Sequence, residues 1–281
     1  MSYANPDVLV STNWVKENLK TPNVRIVEVN VDPKVYDAGH IPGAASLNWV
    51  TQLQDQTNRD IVSAAGFERL LSDAGIKPSD TVILYGDNNN WFAAYGYWLF
   101  KIYGHQDVRL MNGGRAKWLA EDDKPLATDK PNFAPSHYKV NGFNAGLRAK
   151  IPEVLEAVAT KRTNLVDVRS VDEFTGKIIA PPGMTETAQR AGHVPGARNI
   201  PWAQTVNQDG TFKAADELRD LYGKAGVDFA KPAIAYCRIG ERSSHTWFVL
   251  RELLGVKDVK NYDGSWTEYG NLIGAPIEKG A

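Results

Sequence analysis

A seven-residue segment, Ala38-Gly39-His40-Ile41-Pro42-Gly43-Ala44, returns as Ala191-Gly192-His193-Val194-Pro195-Gly196-Ala197. A spacing of about 150 residues is far too long for a solenoid repeat, so the chain reads as a duplicated domain. Apolar runs at 24–29 and 165–168 precede the two copies. Downstream, Asp80-Thr81-Val82-Ile83-Leu84-Tyr85 matches Lys231-Pro232-Ala233-Ile234-Ala235-Tyr236, and residues 85–104 then align with 236–255 without a gap. Gly113-Gly114-Arg115-Ala116-Lys117-Trp118 corresponds loosely to Asp263-Gly264-Ser265-Trp266.

Within each half, short apolar runs alternate with helical patterns, the signature of an α/β domain built on a parallel sheet flanked by helices. Strands are expected at 164–168 and 233–236. A helix is expected at 216–225, with Leu218, Leu221 and Tyr222 on one face and Gly226 as its stop. Another is expected at 243–254, capped by Ser243 or Ser244 and ended by Gly255. In the first half, Ser11 or Thr12 should cap a helix beginning near Asn13. The implied division is an N-terminal domain over 1–129, a linker over 130–148 opening with Lys130-Pro131-Asn132-Phe133-Ala134-Pro135, and a C-terminal domain over 149–281. One insertion breaks the symmetry: Tyr36 lies four residues before His40, whereas Phe174 lies nineteen before His193. The extra segment, 177–189, contains Pro181-Pro182-Gly183 and reads as a surface loop, either shaping a substrate entrance or tolerated without a role.

Composition limits the partners. With 281 residues and 43% hydrophobic content there is material for one or two cores. A net charge of −1 argues against sequence-independent binding of nucleic acid. Scattered Lys and Arg offer no polybasic membrane patch. The first residues lack the basic and apolar regions of a secretory signal, and no apolar run has bilayer-spanning length. The single cysteine excludes an intramolecular disulfide. These features lead to the expectation of a cytoplasmic protein.

The stretch that points to chemistry is Tyr236-Cys237-Arg238-Ile239-Gly240-Glu241-Arg242-Ser243-Ser244, between an expected strand and an expected helix. Open α/β sheets bind ligands beyond the carboxyl ends of their strands. Backbone N–H groups there, with the following helix N-terminus, can converge on an anion. Arg238 and Arg242 should add positive charge and bring the Cys237 thiol below its ordinary value of about 8.5. At the matching positions the first half carries Gly86, Asp87 and Trp91, so nucleophile and both cations are missing together. The first domain should be catalytically silent, with a structural role or a share of the cleft.

These features resemble the tandem rhodaneses, thiosulfate sulfurtransferases with an inactive N-terminal and an active C-terminal domain. The resemblance rests on the paired Gly-His-x-Pro-Gly-Ala segments, the loop from Cys237 to Ser243 and Asp263-Gly264-Ser265-Trp266. The loop is similar to the Cys-Arg-Ile-Gly-Glu-Arg form of bacterial members. The resemblance implies two tandem rhodanese-like domains, with Cys237 forming a persulfide and Arg242 and Arg238 holding the donor. It extends a substrate-binding role to Gly240, Glu241 and Ser243 in the same loop. Sulfur would pass from thiosulfate to a thiophilic acceptor such as cyanide, a thiol or a protein, with no metal or organic cofactor. Some animal members carry a further arginine where this chain has Glu173, and that role does not transfer.

Other readings remain. A 3-mercaptopyruvate sulfurtransferase shares fold and nucleophile but has small residues after its cysteine, whereas Arg238 and Arg242 suit a compact dianion. Cysteine phosphatases have Cys-x5-Arg, and here the sixth residue after Cys237 is Ser243. A non-enzymatic persulfide carrier or regulatory module is the third possibility. Glu241 would either tether an arginine or point to solvent, and the second is the expectation. His40, His193 and His245 read as structural, and Asp167, Arg169 and Trp266 either line the cleft or are buried.

Overall fold

The computed structural model describes residues 2–184 and 187–280. The chain forms two compact units, one comprising Asp7–Asn144 with Gln208–Thr211. The other comprises the stretch up to Pro6, Ala145–Asn207 and the described residues from Phe212 onward. Much of the stretch read as a linker runs along the first unit, where the Ser136 N–H donates to the Ser72 carbonyl at 2.9 Å and Tyr138 is buried.

In the first unit the order is β1 (Leu9–Val10), α1 (Thr12–Glu17), β2 (Val24–Asn30), α2 (Pro33–Ala38) and β3 (Ala45–Asn48). A hairpin of β4 (Gln54–Asp55) and β5 (Asp60–Ile61) follows, then α3 (Ala64–Asp73) and β6 (Thr81–Tyr85). The unit closes with α4 (Trp91–Ile102), β7 (Val108–Met111) and α5 (Gly114–Ala120). Its parallel sheet has the order β1-β7-β6-β2-β3. Ser11 caps α1, its hydroxyl accepting from the Trp14 N–H at 3.1 Å.

The second unit contains α6 (Ile151–Thr160), β8 (Asn164–Asp167), α7 (Val171–Thr175), β9 (Arg198–Asn199) and α8 (Ala215–Lys224). It continues with β10 (Ala233–Tyr236), α9 (Glu241–Phe248), β11 (Val259–Tyr262) and α10 (Ser265–Tyr269). Its parallel sheet runs β11-β10-β8-β9. Every residue of β8 and β10 is buried, so neither strand alternates apolar and exposed polar positions, and β8 buries Asn164 and Asp167 as well. From β8 the chain steps outward to β9, and from β10 to β11 on the opposite side. The crevice at the carboxyl ends of β8 and β10 is therefore the switch point where such sheets hold ligands, and Cys237 follows β10 directly.

The helix after β10 departs from expectation. It begins at Glu241, with Gly240 as the cap residue at φ 105°, and runs on through a π-helical turn at Val249–Leu253. Ser243 and Ser244 do not cap it: the Ser244 hydroxyl donates back to the Gly240 carbonyl at 2.7 Å. All eight residues of α9 are buried, including Glu241, Arg242, Ser243, Ser244, His245 and Thr246. A fully buried helix is ordinarily apolar all round, so this polar content marks α9 as more than packing.

The matched histidines are structural. His40 stacks on Tyr36 with ring centroids 3.8 Å apart, and its Nδ1 lies 3.0 Å from the Tyr36 carbonyl. His193 repeats this on Phe174, at 3.6 Å and 2.8 Å, despite the intervening insertion. His245 is fully buried, stacked on Phe212 at 4.7 Å, and neither ring nitrogen has a hydrogen-bond partner. Burial pulls its pKa down from 6.5 to about 3. The unfolded chain therefore takes up a proton that the folded chain refuses, and stability contributed above about pH 6.5 is lost as pH falls toward 3. Urea unfolding between pH 6.5 and 4 should show a shallower loss of stability for His245→Phe than for wild type; parallel slopes would refute this assignment.

Candidate active site

Two straps fix the Cys237 loop to the first turn of α10. The Cys237 N–H donates to Ser265 Oγ at 3.0 Å, and the Cys237 carbonyl accepts from the Trp266 N–H at 3.0 Å. The Arg238 carbonyl accepts from the Thr267 N–H at 3.1 Å and from the Thr267 hydroxyl. Gly240 then turns the chain back toward the sulfur. A Cβ at Gly240 would stand 2.9 Å from Asp263 Cα, and its φ of 105° disfavours any side chain. The turn aims the Gly240 N–H at Cys237 Sγ, 3.1 Å away. Ser243 lies behind the loop, its hydroxyl donating to Asn261 Oδ1 at 2.6 Å. It is fully buried and acts as a brace within the structure.

The charges around the sulfur are arranged differently from the sequence expectation. Arg242 forms a two-pronged pair with Glu173, at 3.1 Å for each bond. Its Nε also lies 3.7 Å from Glu241 Oε1. Glu173, the residue standing where some relatives have arginine, is fully buried, also accepts from the Ser170 N–H at 3.0 Å, and so holds Arg242 in place. Burial favours protonation of Glu173, yet Arg242 and Ser170 outweigh it and keep the carboxyl below its usual range. Glu241 does not point to solvent. It is 3% exposed, and the Cys237 thiol donates to its Oε2 at 3.5 Å. Arg238 is also buried and turns its Nη2 toward Met184 Sδ, 3.2 Å away, within the 177–189 insertion, of which residues 185 and 186 lie outside the described residues.

The thiol pKa is consequently raised, not lowered. Burial is the main cause and the Glu241 carboxylate adds to it, while Arg242 and Ser243 pull the other way. The expected electropositive cradle exists in sequence, but in space Arg242 is balanced by two carboxylates. Asp167 and Arg169 are fully buried and paired with each other at 2.6 Å, with Arg169 lying over Trp266 at 4.5 Å. They and Trp266, which is 1% exposed, belong to the core. Breaking such a pair by removing one partner costs about 3–5 kcal/mol. Among the described residues no group of three or more His, Cys, Asp or Glu is arranged to hold a metal ion. No helix among them is long and apolar enough to cross a membrane.

This arrangement can be set against known proteins. Residues 11–121 and 151–272 both match the rhodanese-like domain family. The chain belongs to the rhodanese family. It is 59% identical over 273 residues to a Saccharopolyspora erythraea protein named "Putative thiosulfate sulfurtransferase", covering 97% of this chain and 96% of that one. It is 52% identical over 284 residues to the sulfur carrier protein TtuD of Thermus thermophilus, covering 100% and 99% of the two chains. The structure of SseA from Escherichia coli, described as a 3-mercaptopyruvate sulfotransferase with the rhodanese fold, superposes with a TM-score of 0.80 at 26% identity. That match covers 92% of this chain and 98% of SseA. Two tandem rhodanese domains and a sulfurtransferase function follow from these relationships.

The first rhodanese unit is closed at the equivalent point. A Cβ at Gly86 would lie 2.5 Å from the Val29 carbonyl oxygen, so the backbone occupies the space that the cysteine needs. Asn88, Asn89 and Asn90 all have positive φ and build a different turn, with Asn90 Oδ1 accepting from the Gly86 N–H at 3.0 Å. Gly86→Cys in a Cys237→Ala background should gain no sulfur by intact mass and should melt earlier, since overpacking costs about 1–3 kcal/mol; sulfur gain by that variant would show the first site to be competent. For the second unit, the difference in thiolate absorbance between wild type and Cys237→Ala should titrate above the ordinary thiol value. A midpoint below it would contradict the charge balance described here.

Proposed function

We propose that this rhodanese transfers sulfane sulfur from thiosulfate to a thiophilic acceptor such as cyanide through a persulfide on Cys237. The observation that carries the reading is the seat of Cys237: a buried sulfur at the switch point of the second sheet, held by the Gly240 N–H. The thiolate of Cys237 attacks the sulfane sulfur, the sulfur–sulfur bond of thiosulfate breaks, and sulfite leaves with the electron pair. The acceptor then attacks the outer sulfur of the persulfide and the Cys237 thiolate departs. The donor's own sulfur–sulfur bond supplies the oxidation state, so the cycle as written requires no metal or organic cofactor.

Arg242 is the proposed anion ligand. Glu173 takes one N–H from each of its terminal nitrogens, and each nitrogen carries a second for donor oxygens. Arg238, at the Met184 side of the loop, is proposed as the second cation. Gly240 contributes its N–H to the sulfur, and the presence of arginines rather than small residues after the cysteine favours thiosulfate over 3-mercaptopyruvate. A second reading, delivery of persulfide sulfur to a protein, is supported by the 52% identity to a protein named as a sulfur carrier. It fits the balanced charge around Arg242, which a neutral donor or acceptor would not disturb.

Intact mass after brief incubation with thiosulfate should show one added sulfur on wild type, sulfite in solution, and no gain on Cys237→Ala. A gain with 3-mercaptopyruvate but not thiosulfate would overturn the donor assignment, and a gain with neither would leave a binding module. Arg242→Ala should raise the thiosulfate KM by at least about tenfold if a charge-assisted bond is lost.

A further inference from the structure

We infer that Glu241 is the proton acceptor for Cys237, taking the thiol proton as sulfur is loaded and returning it when sulfur is handed on. The inference rests on the persulfide reading above and names the group that makes the first step possible.

The geometry is specific. Cys237 is fully buried and Glu241 is 3% exposed, so the proton on the sulfur has no solvent directly beside it. Glu241 Oε2 accepts from the thiol at 3.5 Å, and the other oxygen, Oε1, faces Arg242 Nε at 3.7 Å. A carboxylate with one oxygen on the thiol and the other beside a guanidinium is held with its basic atom toward the proton it would remove. The first turn of α9 makes this contact, because Glu241 directly follows the Gly240 turn whose N–H meets the same sulfur. The sulfur thus has a donor ready for the thiolate on one side and an acceptor for its proton on the other. Burial and Arg242 both act on that sulfur, but neither removes a proton from it.

The groups facing this pair are few. Arg242 belongs to α9 itself, Glu173 comes from α7, and Asp263 at the end of β11 packs against Gly240 while paired with Arg148 at 2.7 Å. Glu173 is committed to Arg242 and Ser170, and Asp263 to Arg148, leaving Glu241 as the carboxylate in contact with the thiol.

The proton and electron balance closes. The Cys237 thiol gives its proton to the Glu241 carboxylate as the thiolate bonds to the sulfane sulfur and sulfite leaves, producing an anionic persulfide and a neutral Glu241. A nucleophile such as cyanide then bonds to the outer sulfur, thiocyanate leaves, and the Cys237 thiolate recovers the proton from Glu241. No oxidant or reductant beyond donor and acceptor is needed.

Two roles for Glu241 predict opposite signs, which makes the test decisive. A fixed negative charge beside the sulfur disfavours the thiolate, so its removal would accelerate loading. A base assists loading, so its removal would slow it. Single-turnover sulfite release on mixing with thiosulfate should be slower in Glu241→Gln by roughly a hundredfold at neutral pH, the lower end of general-base contributions. The gap should close at alkaline pH, where the thiol ionises without help, and Glu241→Asp should recover part of the neutral rate. Loading by Glu241→Gln as fast as wild type or faster at neutral pH would overturn the assignment. Alkylation of Cys237 by iodoacetamide over the same pH range separates this from failure of the thiosulfate reading. If wild type accepts no sulfur from thiosulfate, a slower neutral alkylation of Glu241→Gln still supports the proton role, and equal or faster alkylation refutes it.

Discussion

The active loop depends on one exclusion: beside Asp263 there is room for backbone at position 240 but none for a side chain. That space, with a φ of 105°, lets the chain reverse over a few residues and return its N–H to Cys237 Sγ. The same turn launches α9 three or four residues earlier than a cap at Ser243 or Ser244 would, so Glu241 and Arg242 fall in its first turn beside the sulfur. The Gly240 carbonyl is in turn held by Ser244 Oγ and by Asn261 Nδ2 at 3.2 Å, which ties the loop to β11 as well as to its own helix. Thiol, acceptor carboxylate and guanidinium are thereby placed by the Gly240 turn and the side chains that hold it.

The two rhodanese units share an architecture but not the residues of the cysteine loop. In each unit a buried acid on the strand before the histidine turn pairs with an arginine that also donates to the carbonyl of the glycine preceding that histidine. Glu28 lies beside Tyr85 in register, as Asp167 lies beside Tyr236. The arginine, however, comes from different places: Arg115 stands just beyond β7, whereas Arg169 stands just beyond β8. The fold needs a guanidinium at that point and accepts it from either strand end. In the second unit this leaves the position after β11 to Trp266, over which Arg169 lies. Retaining a buried pair by exchanging its source avoids the penalty of an unpaired buried charge.

Around the sulfur the same arithmetic governs function. Two arginines in a short loop suggest an excess of positive charge, yet a guanidinium buried without a counter-ion is costly. Glu173 and Glu241 supply that counter-charge to Arg242, and burial together with the Glu241 carboxylate pushes the Cys237 thiol pKa up. Alkylation and oxidation of a cysteine both proceed through the thiolate, so the same burial and charge balance that raise the Cys237 pKa disfavour both.

The duplication, the parallel-sheet units, the strand that leads into Cys237 and the absence of a cysteine from the first copy were all legible in the sequence alone. Each of these is local or periodic: a repeated heptapeptide, apolar runs such as Ala233–Tyr236, and a glycine standing where a nucleophile would be. The structural histidines were legible because a side chain that recurs in a copy without the cysteine does not depend on it. What the tertiary structure decided was which charges meet. Glu173 and Arg242 lie 69 positions apart, and only the packing of α7 against the first turn of α9 brings them within 3.1 Å. The inward turn of Glu241 follows from where α9 begins, which depends on Asp263 pressing on Gly240 from another strand. The charge a thiol feels is a sum over space, and distance along the chain does not reveal it.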